Sequence, residues 1–331
     1  MQISRLTLVS MSEEHRQLSV PSFTSDYKRW TALIPEHERY QYPPKLKQEI
    51  RLLHLEPAGT LAAPICASLK TCASVRTPDE DYKALSYTWG TTKDPEHLHL
   101  DGKILPIGEN LAAALRRIRR RDVARVLWID AVCIAQLDDE ERTDQVAIMA
   151  VIFGLAKRVL AWVGEDTPDE GGKRALEYAL ARRQQYLDGA PPYLWKTDPE
   201  TQSWLVDFYS RRYFSRRWII QEIMAAKTVL LLCGGLSVKW SHFRQATTMQ
   251  HLAPPLPPYA RILCMQHQTR LHDHQWYRHP HVEDEDREVD FMDWAGFTDM
   301  LRMLNDFKGF GCGDDRDSIG ALAALYRGFK R

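Results

Sequence analysis

Glu222 interrupts the apolar and aromatic run SRRWIIQEIMAA, Ser215 to Ala226, and Asp130 ends the apolar run VLWID, Val126 to Asp130. A carboxylate in such company needs solvent, a counter-charge or a task. Glu222 lies one turn from Trp218, so placed at a cleft it supplies an anion beside an aromatic surface. The alternative is a helix carboxylate that pairs with Arg217 or Lys227. Cys133, just past Asp130, is a nucleophile candidate with no histidine near it in sequence. His272, His274, His279 and His281 lack the outer groups that orient true ligands, so no metal site is expected. Gly309-Phe310-Gly311-Cys312-Gly313 misses the dinucleotide spacing and reads as a turn. Arg116, Arg117, Arg119, Arg120, Arg121 and Arg125 would suit phosphate groups or simply a solvated helix face.

These side chains must be held by a sheet. YKALSYTWG alternates Ala84, Ser86 and Thr88 against Leu85, Tyr87 and Trp89 and ends at Gly90, as a strand does. VLWID and RVLAWVG are continuous apolar runs, expected of strands covered on both faces. EIRLLHLEPA and TVLLLCGG read as further strands, and Asp101-Gly102 marks a hairpin. Between them Leu111, Ala114, Leu115 and Ile118 follow helical spacing. Asp138 and Glu141 match a capping box for a helix that runs to about Lys157 with apolar residues nearly all round. Ser215 is the expected N-cap of the helix carrying Glu222. Strand and helix alternation predicts an α/β fold with a mostly parallel sheet flanked by helices. In such sheets ligands bind outside the carboxyl ends of the strands. Trp89-Gly90, Asp130 and Gly164-Glu165-Asp166 all follow strand ends, so they are expected on one rim, with Glu222 near it.

The organisation expected is a polar, extended N-terminal arm over residues 1–48 and an α/β domain over 49–240 with an insertion at about 165–207. Residues 241–331 read as a variable loop and helical extension packed on the core. The loop holds the acidic run VEDEDREVD. Forty-four basic and 44 acidic residues give zero net charge, so no overall field draws the chain to nucleic acid or to an anionic membrane. The longest apolar tract is broken at Lys157 and Arg158, short of a membrane span. Six cysteines without a C-x-x-C pair fit reduced thiols, and a start without a signal-peptide core fits a cytoplasmic location.

YKALSYTWG, LWIDAVCIAQLDDEERTDQVAIMAVIFGLAKRVLAWVGE and YFSRRWIIQEIMAAKTVLLLCGG, in this order, resemble the heterokaryon incompatibility (HET) domain of filamentous fungi. DDRDSIGALAAL is similar to the D-P-R-D segment that often follows, with Asp315 in place of proline. Ala135 stands where the family usually has Asn. The resemblance implies a role in self/nonself recognition and the cell death that follows fusion of incompatible hyphae. HET domains in turn resemble Toll/interleukin receptor (TIR) domains, which implies a flavodoxin-like core and, as in some TIR members, cleavage of NAD at the nicotinamide glycosidic bond. SRRWIIQEI is similar to the TIR helix with the catalytic glutamate, which implies that role for Glu222. Trp89, Gly90, Asp130, Trp218 and Arg217 are the implied nucleotide contacts, with Asp130 on a ribose hydroxyl and Arg216 or Arg217 at the pyrophosphate. No cofactor is required; NAD or a related nucleotide is the implied substrate. The alternative is a noncatalytic module that assembles with itself or a protein partner.

Overall fold

Apolar strands with few interruptions need cover on both faces, and here they share one mixed sheet. The structure is a computed structural model that describes residues 23–43, 49–90, 94–190 and 198–248. In chain order the strands are β1 (Ile50–Leu55), β2 (Ile65–Cys72), β3 (Lys83–Tyr87), β4 (Glu96–Leu100), β5 (Lys103–Ile107), β6 (Arg125–Trp128), β7 (Arg158–Trp162), β8 (Val229–Cys233) and β9 (Leu236–Lys239). Across the sheet they run β5-β4-β2-β1-β6-β3-β7-β8-β9. The α/β class is therefore as expected. Its parallel centre is β6-β3-β7-β8, while β1 joins β6 and β2 antiparallel and hairpins close both edges. In the β4–β5 hairpin Asp101 and Gly102 both have positive φ, the left-handed pair that a two-residue turn requires.

Register decides which side chains share a face. Ala84 of β3 lies beside Trp128 and Val159, so Ser86, two residues on, leaves the same face as these. The helix α4 (Asp139–Leu155) covers that face: Phe153 meets Trp128 edge to face at 5.6 Å, and Tyr82 Oη donates to Ile152 O at 2.6 Å. The opposite face carries Trp162, whose indole N–H donates to Asn110 Oδ1 of α2 (Glu109–Ile118) at 2.9 Å. Trp128 and Trp162 are both fully buried, and each such aromatic stabilises the core by about 1.5–3 kcal/mol relative to exposure.

Four local expectations need correction. Residues 23–32 of the arm are a helix, α1 (Phe23–Ala32), because Tyr27, Trp30 and Ile34 share an apolar stripe that is buried. The chain then adds to the sheet edge, with Tyr40 N donating to Ile104 O and Ile104 N to Glu38 O. Asp138 does cap α4, but Glu141 completes no capping box: its carboxylate is bound by Arg51 and by Ala135 N–H. Only one stripe of α4 is buried, with Ala147 exposed and Ile148, Val151 and Leu155 half-buried. Finally, SRRWIIQEIMAA is no single helix. After α3 (Asp130–Cys133), α5 (Gly171–Leu187) and α6 (Pro199–Tyr209), a turn α7 (Arg212–Ser215) ends at Arg216 in extended backbone, and α8 (Ile219–Met224) starts after Trp218. Ser215 is thus not its N-cap, and its hydroxyl donates instead to Arg212 O. The last described helix is α9 (Trp240–Thr248).

Strands β2 and β9 were not read from sequence; alternating partial burial with polar residues hides both. The histidine group, the acidic run, the Gly309–Gly313 turn, the D-R-D segment and the closing helices lie outside the described residues. Among the described residues no helix is long and apolar enough to cross a membrane.

Candidate functional site

Ser86 is the one serine in the strand β3, and its hydroxyl reaches α8. Its Oγ donates to Glu222 Oε2 at 2.5 Å and lies 2.7 Å from Tyr213 Oη. A serine hydroxyl has one proton, so with that proton on Glu222 the tyrosine must donate to Ser86. Arg216 Nη2 lies 3.5 Å from the other oxygen, Glu222 Oε1. The break between α7 and α8 is what allows this: extended backbone at Arg216 lets its guanidinium turn back to the helix that follows it. Glu222 is only 3% exposed, buried among Ile219, Ile220 and Ile223 of its own helix.

Asp130 is held from the neighbouring strand end. Its Oδ2 accepts from the Trp89 indole at 2.8 Å and its Oδ1 from Ala131 N at 2.7 Å, so the carboxylate is aimed by the residue that closes β3 and by the first peptide of α3. Behind it, Gln136 Nε2 donates to Asp130 O at 2.8 Å and clasps the turn. Gly90 follows with φ +79, a conformation that glycine adopts without strain and that turns the chain away beside Asn110.

The two carboxylates sense each other. Burial and then the charge of Glu222 push Asp130 up to about 7, against the pull of Arg216, Ala131 N–H and Trp89. Burial also raises Glu222, opposed by Arg216 and by Ser86. Tyr87 is raised too, by burial and then by Asp130 and Glu222, and Tyr213 by burial and then by Glu222. The result is an acidic pair in which one member titrates near neutrality, with an aromatic on one side and a guanidinium on the other. Arg216 Nη1 is buried without a hydrogen-bond partner, and the Gln221 amide, fully buried, has no partner at either end among the described residues. The unpartnered Arg216 nitrogen brings unspent hydrogen-bonding capacity to Glu222.

The structure therefore brings Glu222, Asp130, Trp89 and Gly90 to one place. Arg217 is buried in the turn before α8 and Trp218 is half-buried ahead of its first residue. The cation that reaches Glu222 is Arg216, not Arg217 or the exposed Lys227. Gly164-Glu165-Asp166 has structural work instead: Asp166 accepts from Gly172 N and Lys173 N at the start of α5, and Glu165 pairs with Arg117. Cys133 is buried with its thiol pushed up to about 12, unsuited to nucleophilic attack. Ser86 and Tyr213 were missed in the sequence, though a serine between Leu85 and Tyr87 in β3 was a signal for the first.

Residues 82–222 match the family model described as heterokaryon incompatibility protein (HET). Over this segment the chain is similar to the HET domain. Its matched span opens at Tyr82 and closes at Glu222, so it includes each of the site residues just described. Heterokaryon incompatibility protein 6, OR allele, of Neurospora crassa is 26% identical to this chain over 228 residues, covering 56% of this chain and 33% of that protein. The chain thus matches about a third of that relative's length. No solved structure matches.

Proposed function

We propose that this chain acts in fungal self/nonself recognition and the cell death that enforces it, and that the Glu222–Asp130 site cleaves NAD at the nicotinamide glycosidic bond. The observation that carries the chemical part is a buried glutamate, held by Ser86 and Arg216, electrostatically coupled to an aspartate raised to about 7. Nicotinamide leaves as a neutral base from a cationic ring, so no acid is needed to protonate it. Glu222 in its anionic form then faces the positive charge that grows on the ribose, and water adds to that carbon and gives up a proton to complete the hydrolysis. Asp130 accepts a ribose hydroxyl, Trp89 offers a stacking surface, and the free Nη1 of Arg216 is suited to a phosphate oxygen. Because Glu222 is 3% exposed, a dinucleotide reaches it only after the turn carrying Arg216 opens. Self-assembly is the step we assign to that opening.

The same burial favours a second reading, a noncatalytic module in which Ser86, Arg216 and Glu222 form an internal tie. Nicotinamide release separates the two. The chain is fused to an oligomerising coiled coil, supplied with NAD and compared with its Glu222→Gln variant. Release at least a hundredfold above the variant is expected. Equal release by both proteins, or none by either, overturns the catalytic reading and leaves the tie.

A further inference from the structure

The Glu222 site lies at the carboxyl ends of the parallel strands, and the opposite ends hold a second, oppositely charged group. Lys83 begins β3, Arg125 begins β6 and Arg158 begins β7. Lys83 is directly across from both Leu127 and Arg158, and Arg125 is two residues before Leu127. Strand side chains alternate, so all three cations leave the same face of three adjacent strands, Lys83 and Arg158 one strand gap of about 4.8 Å apart and Arg125 about 6.6 Å further back along β6. Arg120, just past α2, and Lys157 adjoin them and help to depress Lys83 to about 8, after burial and Arg125. Arg125 is itself lowered by burial, by Arg120 and by Arg158.

Like charges held this close repel, and a fold normally answers with carboxylates. Here Lys157 pairs with Asp81 at 3.0 Å, but among the described residues Lys83, Arg120, Arg125 and Arg158 have no carboxylate within ion-pair distance. Glu80 pairs with His54, and Asp122, exposed ahead of β6, makes no ion pair among the described residues. The neighbouring arginines contrast with this: Arg116 and Arg117 grip Glu96 and Glu165 with two hydrogen bonds each, and Arg119 holds the carbonyls of Thr60, Leu61, Ala63 and Pro64. Among the described residues the sheet-end row thus has no carboxylate to match its charge. Lys83, Arg125 and Arg158 are half-buried, with the Arg125 Nε buried and unpartnered, so the row is fixed by the sheet rather than waving in solvent.

We propose that the Lys83–Arg125–Arg158 row, with Arg120, is a binding site for an anion bearing two or more phosphate groups. A single orthophosphate spans only one gap of the row, whereas linked phosphates reach across adjacent strands and replace several repulsions by charge-assisted hydrogen bonds. The site is separate from the glycosidic site, and its test does not depend on that reading.

Thermal unfolding at low ionic strength, with sodium tripolyphosphate as probe, decides the matter. Saturating tripolyphosphate raises the Tm of the chain by about 5 °C or more, and orthophosphate at equal charge raises it by much less. Lys83→Gln/Arg158→Gln has an opposite signature in its two arms: without ligand its Tm rises, because repulsion is relieved, and the tripolyphosphate shift is lost. Lys70→Gln, at an exposed position of β2, keeps the shift. Flotation with vesicles that contain multiply phosphorylated inositol lipids distinguishes the source. Binding to vesicles as well as to tripolyphosphate assigns the row to a lipid headgroup, and binding to tripolyphosphate alone assigns a free anion. No shift with tripolyphosphate, or a shift unchanged in the double variant, overturns the site, as does retention only of a single-stranded RNA.

Discussion

Arg51 and Glu141 are the buried charges on which the turn carrying Asp130 depends, and replacing Arg51 by leucine tests that directly. Both side chains are 1% exposed. Arg51 grips the carboxylate with contacts of 2.5 and 3.0 Å and also donates to Cys133 O at 3.1 Å, while Glu141 Oε1 accepts from Ala135 N at 2.8 Å. The pair thereby pins the chain on the far side of α3 from Asp130. Removing either partner leaves the other charge buried and alone, which destabilises by about 3–5 kcal/mol. Arg51→Leu/Glu141→Leu removes both charges. What remains is Pro43 O, Cys133 O and Ala135 N–H without these partners, partly offset by the added apolar burial, for a net loss of about 2–4 kcal/mol. The double variant is thus expected to be no less stable than either single one, with a coupling of about 3 kcal/mol or more. Urea unfolding at neutral pH measures it, provided the slope m is shared by all four proteins. Additive losses would refute the reasoning, and so would an Arg51→Leu loss below about 1 kcal/mol.

Two further outcomes follow from the same contacts. Asp130 has a higher pKa folded, about 7, than unfolded, so the native state holds its proton longer; the stability it contributes is fully present below about pH 4 and is lost as pH rises to 7. Asp130→Asn removes that loss. At full strength the shift is worth about 4 kcal/mol, but Asp130 is partly exposed and an amide keeps only one acceptor for Trp89 and Ala131, so we expect a gain of about 1–2 kcal/mol at pH 8 and none at pH 4; equal stability at pH 8 would contradict this. Gly172→Ala places a methyl group that collides with Cys233 Sγ and stands 2.7 Å from Asp166 Oδ1, so the start of α5 must shift and the chain should lose about 1–3 kcal/mol in the same unfolding assay.

Much of the frame was legible because single residues were decisive. The alternation in YKALSYTWG and the unbroken run in VLWID marked the central strands, and Asp101-Gly102 marked a hairpin whose positive φ values nothing else tolerates as easily. Strand ends then predicted that Trp89, Gly90 and Asp130 would gather near Glu222. Other features depend on partners distant in sequence. The pairing of Glu141 with Arg51, 90 residues away, overrode its local capping pattern. The break at Arg216, which lets its guanidinium turn back to Glu222, is one that helical periodicity cannot register. Ser86 and Tyr213 are 127 residues apart, so no local spacing could join them.

The claim on which the account rests is that Asp130 and Glu222 share one site and feel each other's charge. Carbon NMR of the aspartate and glutamate carboxyl groups, followed against pH in the chain and in Glu222→Gln, tests it most directly. The account predicts that Asp130 titrates near 7 in the unaltered chain and that its midpoint falls clearly when Glu222 loses its charge. An Asp130 midpoint in the ordinary carboxylate range, or one that Glu222→Gln leaves in place, would contradict it.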